Sequence, residues 1–350
     1  IFAQIMGVYP LEGPLSIISQ SGNIGGTLCR YCEHYNVGFS KFVSSGNEAT
    51  IASEDIIEYY GEDPETGVIL AYIEGIERGK RFFTAAQKVT RKKPIIMLKG
   101  GRTPVGARAV SSHTAALAGS DSVFDSACRQ AGIIRVETLQ DMFDLAITFS
   151  TQPLPRGNRV GIVTLGGGLG VIAADACSGA GLEVIKLPEK TREEIDKILP
   201  SRWSRNNPVD LAGAEGGRLM SRCIEALIRC PEIDGLIEIG IGFDVQGIKE
   251  IKSSRFFPVS GESELADITE GLRQRNRRFA ENLLKLIDES GKPLLSTSDA
   301  VATPEGEDSE AIKALRKRGI TVYPTPERAA KALGALARYA KYLEETSKKT

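Results

Sequence analysis

The sequence predicts an α/β protein made of two parallel-sheet domains, each with helices on both faces of its sheet. Three observations carry this. Short apolar runs alternate with helix-length segments, as parallel strands joined by helical crossovers require. The chain has 350 residues, room for two full cores at roughly 100–200 residues per domain. The pattern also starts twice. An apolar strand, a glycine turn and a helix open near Leu15 and again near Arg159, separated by the turn-rich stretch Thr151-Gln152-Pro153-Leu154-Pro155-Arg156-Gly157-Asn158. The domains are expected over 1–150 and 157–345.

In order, Leu15 to Ser19 reads as a strand, Gln20-Ser21-Gly22 as a turn, and the stretch to about Tyr35 as a helix. Phe39 to Val43 is a strand, Ile51 to Tyr60 a helix, Gly67 to Glu74 a strand, Arg78 to Thr90 a helix and Ile95 to Lys99 a strand. Gly100 to Gly119 is rich in glycine and serine without a sustained period, so a loop is expected. Ser120 and Asp121 are good caps for a helix over Ser122 to Ala131. In the second half, Arg159 to Thr164 is a strand, Gly166-Gly167-Gly168 a turn and Leu169 to Ala180 a helix. Leu182 to Leu187, Asp234 to Ile241, Pro293 to Ser296 and Ile320 to Tyr323 are further strand candidates. Residues 244–270 fit the pattern poorly and read as an insertion or long loop.

Lys plus Arg is 44 and Asp plus Glu is 45, so no net charge draws the chain to nucleic acid or an anionic membrane. No apolar run reaches the roughly 18 residues a membrane span needs, and no signal peptide opens the chain. Six scattered cysteines suggest reduced thiols and a cytoplasmic protein. Cys29 and Cys32 form a C-x-x-C pair without a second pair to complete a metal site, and read as core residues one turn apart. No metal site is expected. The chain begins at Ile1 rather than Met, as a fragment would.

Two histidines occur. His34 ends a helix, a structural setting. His113 lies in Val110-Ser111-Ser112-His113-Thr114, beyond a strand's carboxyl end, where open α/β sheets place their ligands. Glu74 ends another strand, where a carboxylate can orient an imidazole. Lys99 ends the next and reads as a surface lysine. Two glycine turns lead into helix amino ends: Ser19, Ser21, Gly22 and Asn23 in the first, Gly167, Gly168 and Gly170 in the second. Free N–H groups and the helix dipole make such ends anion sites, and tight packing is the other reading of the glycines. Gly168 to Ala173 also fits a G-x-G-x-x-A dinucleotide fingerprint, with only Glu183 or Glu189 as the acid expected downstream. Arg273, Arg275, Arg277 and Arg278 read as a solvated helix face.

Together these motifs resemble the nucleoside-diphosphate-forming acyl-CoA synthetases, relatives of succinyl-CoA synthetase. Ile18-Ser19-Gln20-Ser21-Gly22, Tyr72-Ile73-Glu74-Gly75 and Leu98-Lys99-Gly100-Gly101-Arg102 are similar to that family's first motifs. Ser112-His113-Thr114 with Leu117-Ala118-Gly119 is similar to its phosphohistidine loop. Gly166-Gly167-Gly168-Leu169-Gly170 and Asn207-Pro208-Val209-Asp210 match the second ligase domain. The resemblance implies two flavodoxin-like (Rossmann-like) domains, His113 as phosphocarrier and Glu74 as its partner, with both glycine turns holding phosphate. It implies the reaction acyl-CoA + ADP or GDP + phosphate ⇌ carboxylic acid + CoA + ATP or GTP. CoA, ATP/ADP and Mg²⁺ would serve the complete enzyme. A CoA-binding domain and an ATP-grasp (β-type) module would be partners, in an oligomer. A long loop of small residues from Thr103 to Gly119 suits a swinging carrier. The alternatives are a catalytically inactive, ligase-like regulatory module and an NAD-binding oxidoreductase domain.

Overall fold

The computed structural model describes residues 11–113, 120–212, 216–242, 262–302 and 309–348. Within the helices, residues 111–113, 216 and 262–265 are described without their side chains. The chain divides into two compact units, Ile1–Thr151 with Lys341–Thr350, and Gln152–Ala340.

The first unit holds strands β1 (Leu15–Ser19), β2 (Phe39–Ser44), β3 (Val68–Ile73), β4 (Ile95–Lys99) and β5 (Ile134–Val136). All pairings are parallel, in the order β2-β1-β3-β4-β5. This is the flavodoxin-like order, whose switch point lies between β1 and β3. The strands are apolar on both faces because helices cover both. Ile69, Ala71 and Ile73 pack with Phe82 and Ala86 of α3 (Gly79–Thr90) and Cys128 of α5 (Asp121–Gln130). Helices α1 (Gly22–His34), α2 (Ser53–Glu62) and α6 (Leu139–Thr151) complete the regular layers. Tyr342, near the chain's end, belongs to this unit: its hydroxyl lies 3.0 Å from Thr90 Oγ1 and donates to the Ala131 carbonyl at 3.3 Å.

Residues 104–113 are not the expected loop but a helix, α4 (Pro104–His113). Thr103 is the reason. Its hydroxyl accepts the Gly106 N–H at 3.1 Å, its carbonyl accepts the Ala107 N–H at 2.7 Å, and proline suits the first helical position. Thr114, Leu117, Ala118 and Gly119 lie outside the described residues, as does the His113 side chain.

The second unit repeats the plan. Strands β6 (Arg159–Thr164), β7 (Glu183–Val184), β9 (Gly235–Ile239), β10 (Leu294–Thr297) and β11 (Val322–Tyr323) lie in the order β7-β6-β9-β10-β11, and β8 (Val209–Asp210) pairs with the end of β6. With β8 set aside and counted from its own first strand, this is again 2-1-3-4-5. Helices α7 (Gly167–Gly179), α8 (Glu189–Asp196), α9 (Gly216–Arg229), α10 (Glu262–Ser290) and α11 (Glu310–Lys317) alternate with the strands, and α12 (Pro326–Ser347) follows β11, its residues from Lys341 being grouped with the first unit. Leu236, Leu294, Ile224, Leu283 and Ile312 share the core beneath α9 to α11. Leu182 to Leu187 narrows to a two-residue strand. Residues 262–270, expected to be irregular, are the first turns of α10, while 243–261 lie outside the described residues. The four arginines of α10 are exposed, with Arg277 paired to Glu310 at 2.8 Å. All six cysteines are free and buried, and burial pushes Cys32 up to about 12, so the C-x-x-C pair is an inert core element. No helix among the described residues is long and apolar enough to cross a membrane.

Candidate functional site

The first glycine turn is built by hydroxyls. Buried Ser19 donates to the Ser21 carbonyl at 2.6 Å and accepts the Ser21 N–H at 3.2 Å. Ser21 caps α1, accepting the Ile24 N–H at 3.5 Å. Both hydroxyls are thus engaged in shaping the turn. Gly22 and Asn23 are exposed, and their N–H groups belong to the first helical turn, which has no intrahelical acceptors. Gly25, one turn on, is glycine for packing: a Cβ there would meet the Phe42 ring at 2.5 Å.

Beside this turn lies Glu74, half-buried at the carboxyl end of β3. Gln20 holds its backbone: Oε1 accepts the N–H groups of Glu74 (2.6 Å) and Gly75 (3.0 Å), and Nε2 donates to the Gly75 carbonyl (2.9 Å). Tyr72 donates its hydroxyl to Glu74 Oε1 at 3.3 Å. The next strand end is shaped around them. A Cβ on Gly100 would fall 2.8 Å from the Tyr72 oxygen and 3.4 Å from Glu74 Cγ. Gly101 has φ +72°, and a Cβ there would lie 3.1 Å from Val110 and 3.5 Å from Ala107, so α4 folds back onto this glycine. His113, its last residue, follows Val110 by one turn. Glu74 and the helix that ends in His113 therefore meet at adjoining strand ends.

Neither Gln20 nor Tyr72 was singled out by sequence reasoning. Strand alternation was the available signal for Tyr72, since residues 72 and 74 must share a face. Lys99 is not a surface lysine. It is 6% exposed, donates to the Gly100 carbonyl at 3.0 Å and lies 5.4 Å from the Phe124 ring centre; burial lowers its pKa. His34 is exposed, edge-on to Tyr35. A cleft of about 290 Å³ is lined by Gln20 and Gly75 together with Asn47, Glu54, Glu77 and Arg78.

The second turn has the same frame. Thr164 donates to the Gly166 carbonyl at 2.9 Å and accepts the Gly166 N–H at 3.2 Å. Gly166 and Gly168 would have nothing within 4 Å of an added Cβ, and neither has a positive φ, so nothing within the chain demands glycine there. Gly167 has Asp210 Oδ2 at 3.0 Å from that position. Gly170 is buried against Thr164 and Pro208, so its role is packing. Asn207 is a brace. Its amide accepts the Ile162 N–H (3.0 Å) and donates to the carbonyls of Val160 (2.8 Å) and Ile185 (2.9 Å). The dinucleotide reading loses its geometry here. Gly168 already lies inside α7, and Glu189 pairs with Arg192 on the surface of α8. Among the described residues no three His, Cys, Asp or Glu side chains converge as a metal cage.

Residues 12–149 match the succinyl-CoA ligase like flavodoxin domain, and residues 160–244 match the ligase-CoA domain. The chain is 36% identical over 332 residues to the alpha subunit of ADP-forming acetate–CoA ligase II of Pyrococcus furiosus, covering 94% of this chain and 66% of that one. It is 37% identical over 335 residues to the alpha subunit of ligase I of that organism, covering 95% and 65%. It thus spans just under two thirds of the length of these curated relatives. Among solved structures, a dinucleotide forming acetyl-coenzyme A synthetase 1 from Ca. Korarchaeum cryptofilum, in complex with phosphate and ADP, superposes with a TM-score of 0.79 at 33% identity, covering 97% of this chain and 67% of that one. Two domain models in order and a relative matched along two thirds of its length agree with the motifs at both glycine turns: the chain belongs to the family of ADP-forming acyl-CoA synthetases, the succinyl-CoA ligase-like enzymes.

Proposed function

We propose that this chain is the phosphocarrier portion of a nucleoside-diphosphate-forming acyl-CoA synthetase, with His113 accepting phosphate and Glu74 supporting it. The observation that carries the reading is the meeting of Glu74, clamped by Gln20, with the Gly100-Gly101 strand end onto which α4 folds. In the reaction, phosphate attacks an acyl-CoA thioester carbon, CoA thiolate leaves, and an acyl phosphate results. A neutral imidazole nitrogen of His113 then attacks the phosphorus, and the carboxylate departs. Glu74 accepts the N–H of the other ring nitrogen and balances the cationic ring. Transfer to a nucleoside diphosphate regenerates the histidine. The helix end at Gly22–Asn23, in the same unit as Glu74, favours the phosphoryl charge by about 0.3–1 kcal/mol when exposed, and the end at Gly167–Gly168 is an anion site of the same kind in its own unit. Phosphoryl transfer rests on such positioning and electrostatics. By the family resemblance, nucleotide and its Mg²⁺ would be held by an ATP-grasp partner module and CoA by a CoA-binding domain.

The test is labelling of the assembled enzyme with [γ-³²P]ATP. An acid-labile, base-stable label on His113 is expected, absent in His113→Ala and retained in His34→Ala. Glu74→Gln should slow labelling by about 10², because an amide still bonds the ring but cannot balance its charge. Label persisting in His113→Ala would place the carrier elsewhere and overturn the reading.

A further inference from the structure

Glu74 ends a strand, and a glutamate side chain there has three free torsions whose freedom must be given up to hold the carboxylate in one place. Its backbone is fixed by Gln20, but that clamp leaves the carboxylate free to swing. Among the described residues, one side chain donates to the carboxylate: the Tyr72 hydroxyl, 3.3 Å from Oε1. From the geometry around it, we propose that Tyr72 is a positioning residue that aims the Glu74 carboxylate for its work on the phosphocarrier histidine; the proposal deepens the phosphohistidine reading and rests on it.

Three features support this. First, the neighbouring strand end makes room for the hydroxyl. A Cβ at Gly100 would sit 2.8 Å from the Tyr72 oxygen, so any larger residue would push the phenol off the carboxylate. Second, the phenol is a fixed donor. Burial and the adjacent Glu74 charge push its pKa up to about 12, so it keeps its proton at every working pH. Its backbone is anchored as well, the Tyr72 carbonyl accepting the Gln20 N–H at 3.1 Å. Third, the other charged groups nearby are engaged elsewhere. Lys99 shares its strand register with Ile73, on the opposite face, and lies over Phe124. Arg102 pairs with Glu137 at 3.4 Å, and Arg78 pairs with Glu54 at 2.8 Å. In the second unit the position matching Tyr72 is Ile239, and no acid follows at the strand end.

Tyr72→Phe keeps the ring and the packing while removing the hydroxyl. Two measurements test it. In the full chain at one fixed pH, the carbon-13 chemical shift of the Glu74 carboxyl, assigned by its loss in Glu74→Gln, should move in Tyr72→Phe. In the assembled enzyme, single-turnover His113 phosphorylation should slow about fivefold in Tyr72→Phe, and the same substitution in a Glu74→Gln background should slow it no further. Gly100→Ala, which displaces the hydroxyl, should reproduce both effects. An unmoved Glu74 carboxyl signal in a folded Tyr72→Phe chain, or an equal slowing in the Glu74→Gln background, overturns the proposal. If wild-type enzyme takes no label on His113 while the Glu74 signal still moves in Tyr72→Phe, the phosphohistidine reading fails and the hold of Tyr72 on Glu74 stands.

Discussion

In both units the last hydroxyl of the first strand brackets the turn that follows, Ser19 with Ser21 and Thr164 with Gly166, at matching distances. In both, the next residue's N–H reaches the carbonyl at the neighbouring strand's end: Gln20 to Tyr72 at 3.1 Å, Leu165 to Ile239 at 3.3 Å. A 13-residue helix follows each turn. Overlaid on this shared frame, Gln20 corresponds to Leu165, Tyr72 to Ile239 and Glu74 to Ile241. The first set is polar and hydrogen-bonded together. In the second set the two isoleucines are buried and Leu165 packs against the core. The topology supplies a helix end in each unit, while three side chains decide whether a carboxylate stands beside it.

The second unit does carry an acid on the matching strand, but turned inward. Glu238 is fully buried in register with Val163 and Ser296, and neither carboxyl oxygen has a hydrogen-bond partner among the described residues. The equivalent residue of the first unit is Ala71. Burial pushes the Glu238 pKa up from 4.5 to about 8. The group is protonated in the folded state and ionised in the unfolded chain. Its contribution is therefore intact below about pH 4.5 and is lost as pH rises to about 8. The loss should be on the order of 3 kcal/mol, the largest single effect expected here. Glu238→Gln should match wild type in unfolding experiments near pH 4.5 and exceed it progressively towards pH 8. A difference independent of pH would mean that Glu238 is not held protonated.

Exchanging the corner residues breaks the comparison more directly. Gln20→Leu, which imports the second unit's residue, removes the acceptor of two backbone N–H groups. The cost should be about 1–3 kcal/mol in stability, with a slower His113 phosphorylation because the Glu74 backbone is released. Leu165→Gln puts an amide where a leucine packs against the core, so it should also cost stability, but it should leave His113 phosphorylation unchanged. Urea unfolding and labelling of both variants measure this. An equal slowing of phosphorylation by the two exchanges would show that the corners do not differ in the way their side chains suggest.

Much of this was legible in the sequence. Apolar runs and glycine turns marked β1, β3, β4 and β6, because strands buried on both faces must be continuously apolar. Glu74 and His113 stood out by position beyond strand ends. Helix α4 was missed because Ser111, Ser112 and Gly106 hide a weak period, although Thr103-Pro104 is a helix start. The burial of Lys99 was missed because a lysine normally keeps its ammonium in water, and only the packed Phe124 ring reveals otherwise. Gln20 and Tyr72 act through hydrogen bonds between segments about 50 residues apart or across a strand end, which no local pattern encodes. Among the glycines, sequence could not separate those needed for packing from those left bare.

That separation gives the smallest and most discriminating prediction. Gly168 and Gly170 lie two residues apart in the first turns of α7, yet their surroundings differ. An alanine at 170 would place its methyl 3.0 Å from Thr164 Cγ2 and 3.2 Å from Pro208 Cβ, tight contacts that should cost about 1 kcal/mol. An alanine at 168 meets nothing within 4 Å, so helix propensity should make the folded chain more stable by up to about 1 kcal/mol. The bare backbone at 168 then has a use only for something that approaches from outside, and the open N–H groups of the first turn favour an anion. Gly168→Ala should therefore melt at or above the wild-type temperature while binding inorganic phosphate less tightly in calorimetric titration. Gly170→Ala should melt lower and keep its phosphate affinity at temperatures where it is folded. If Gly168→Ala binds phosphate as wild type does, the exposed glycine is not a cradle, and the second unit's helix end loses its claim to the phosphoryl group.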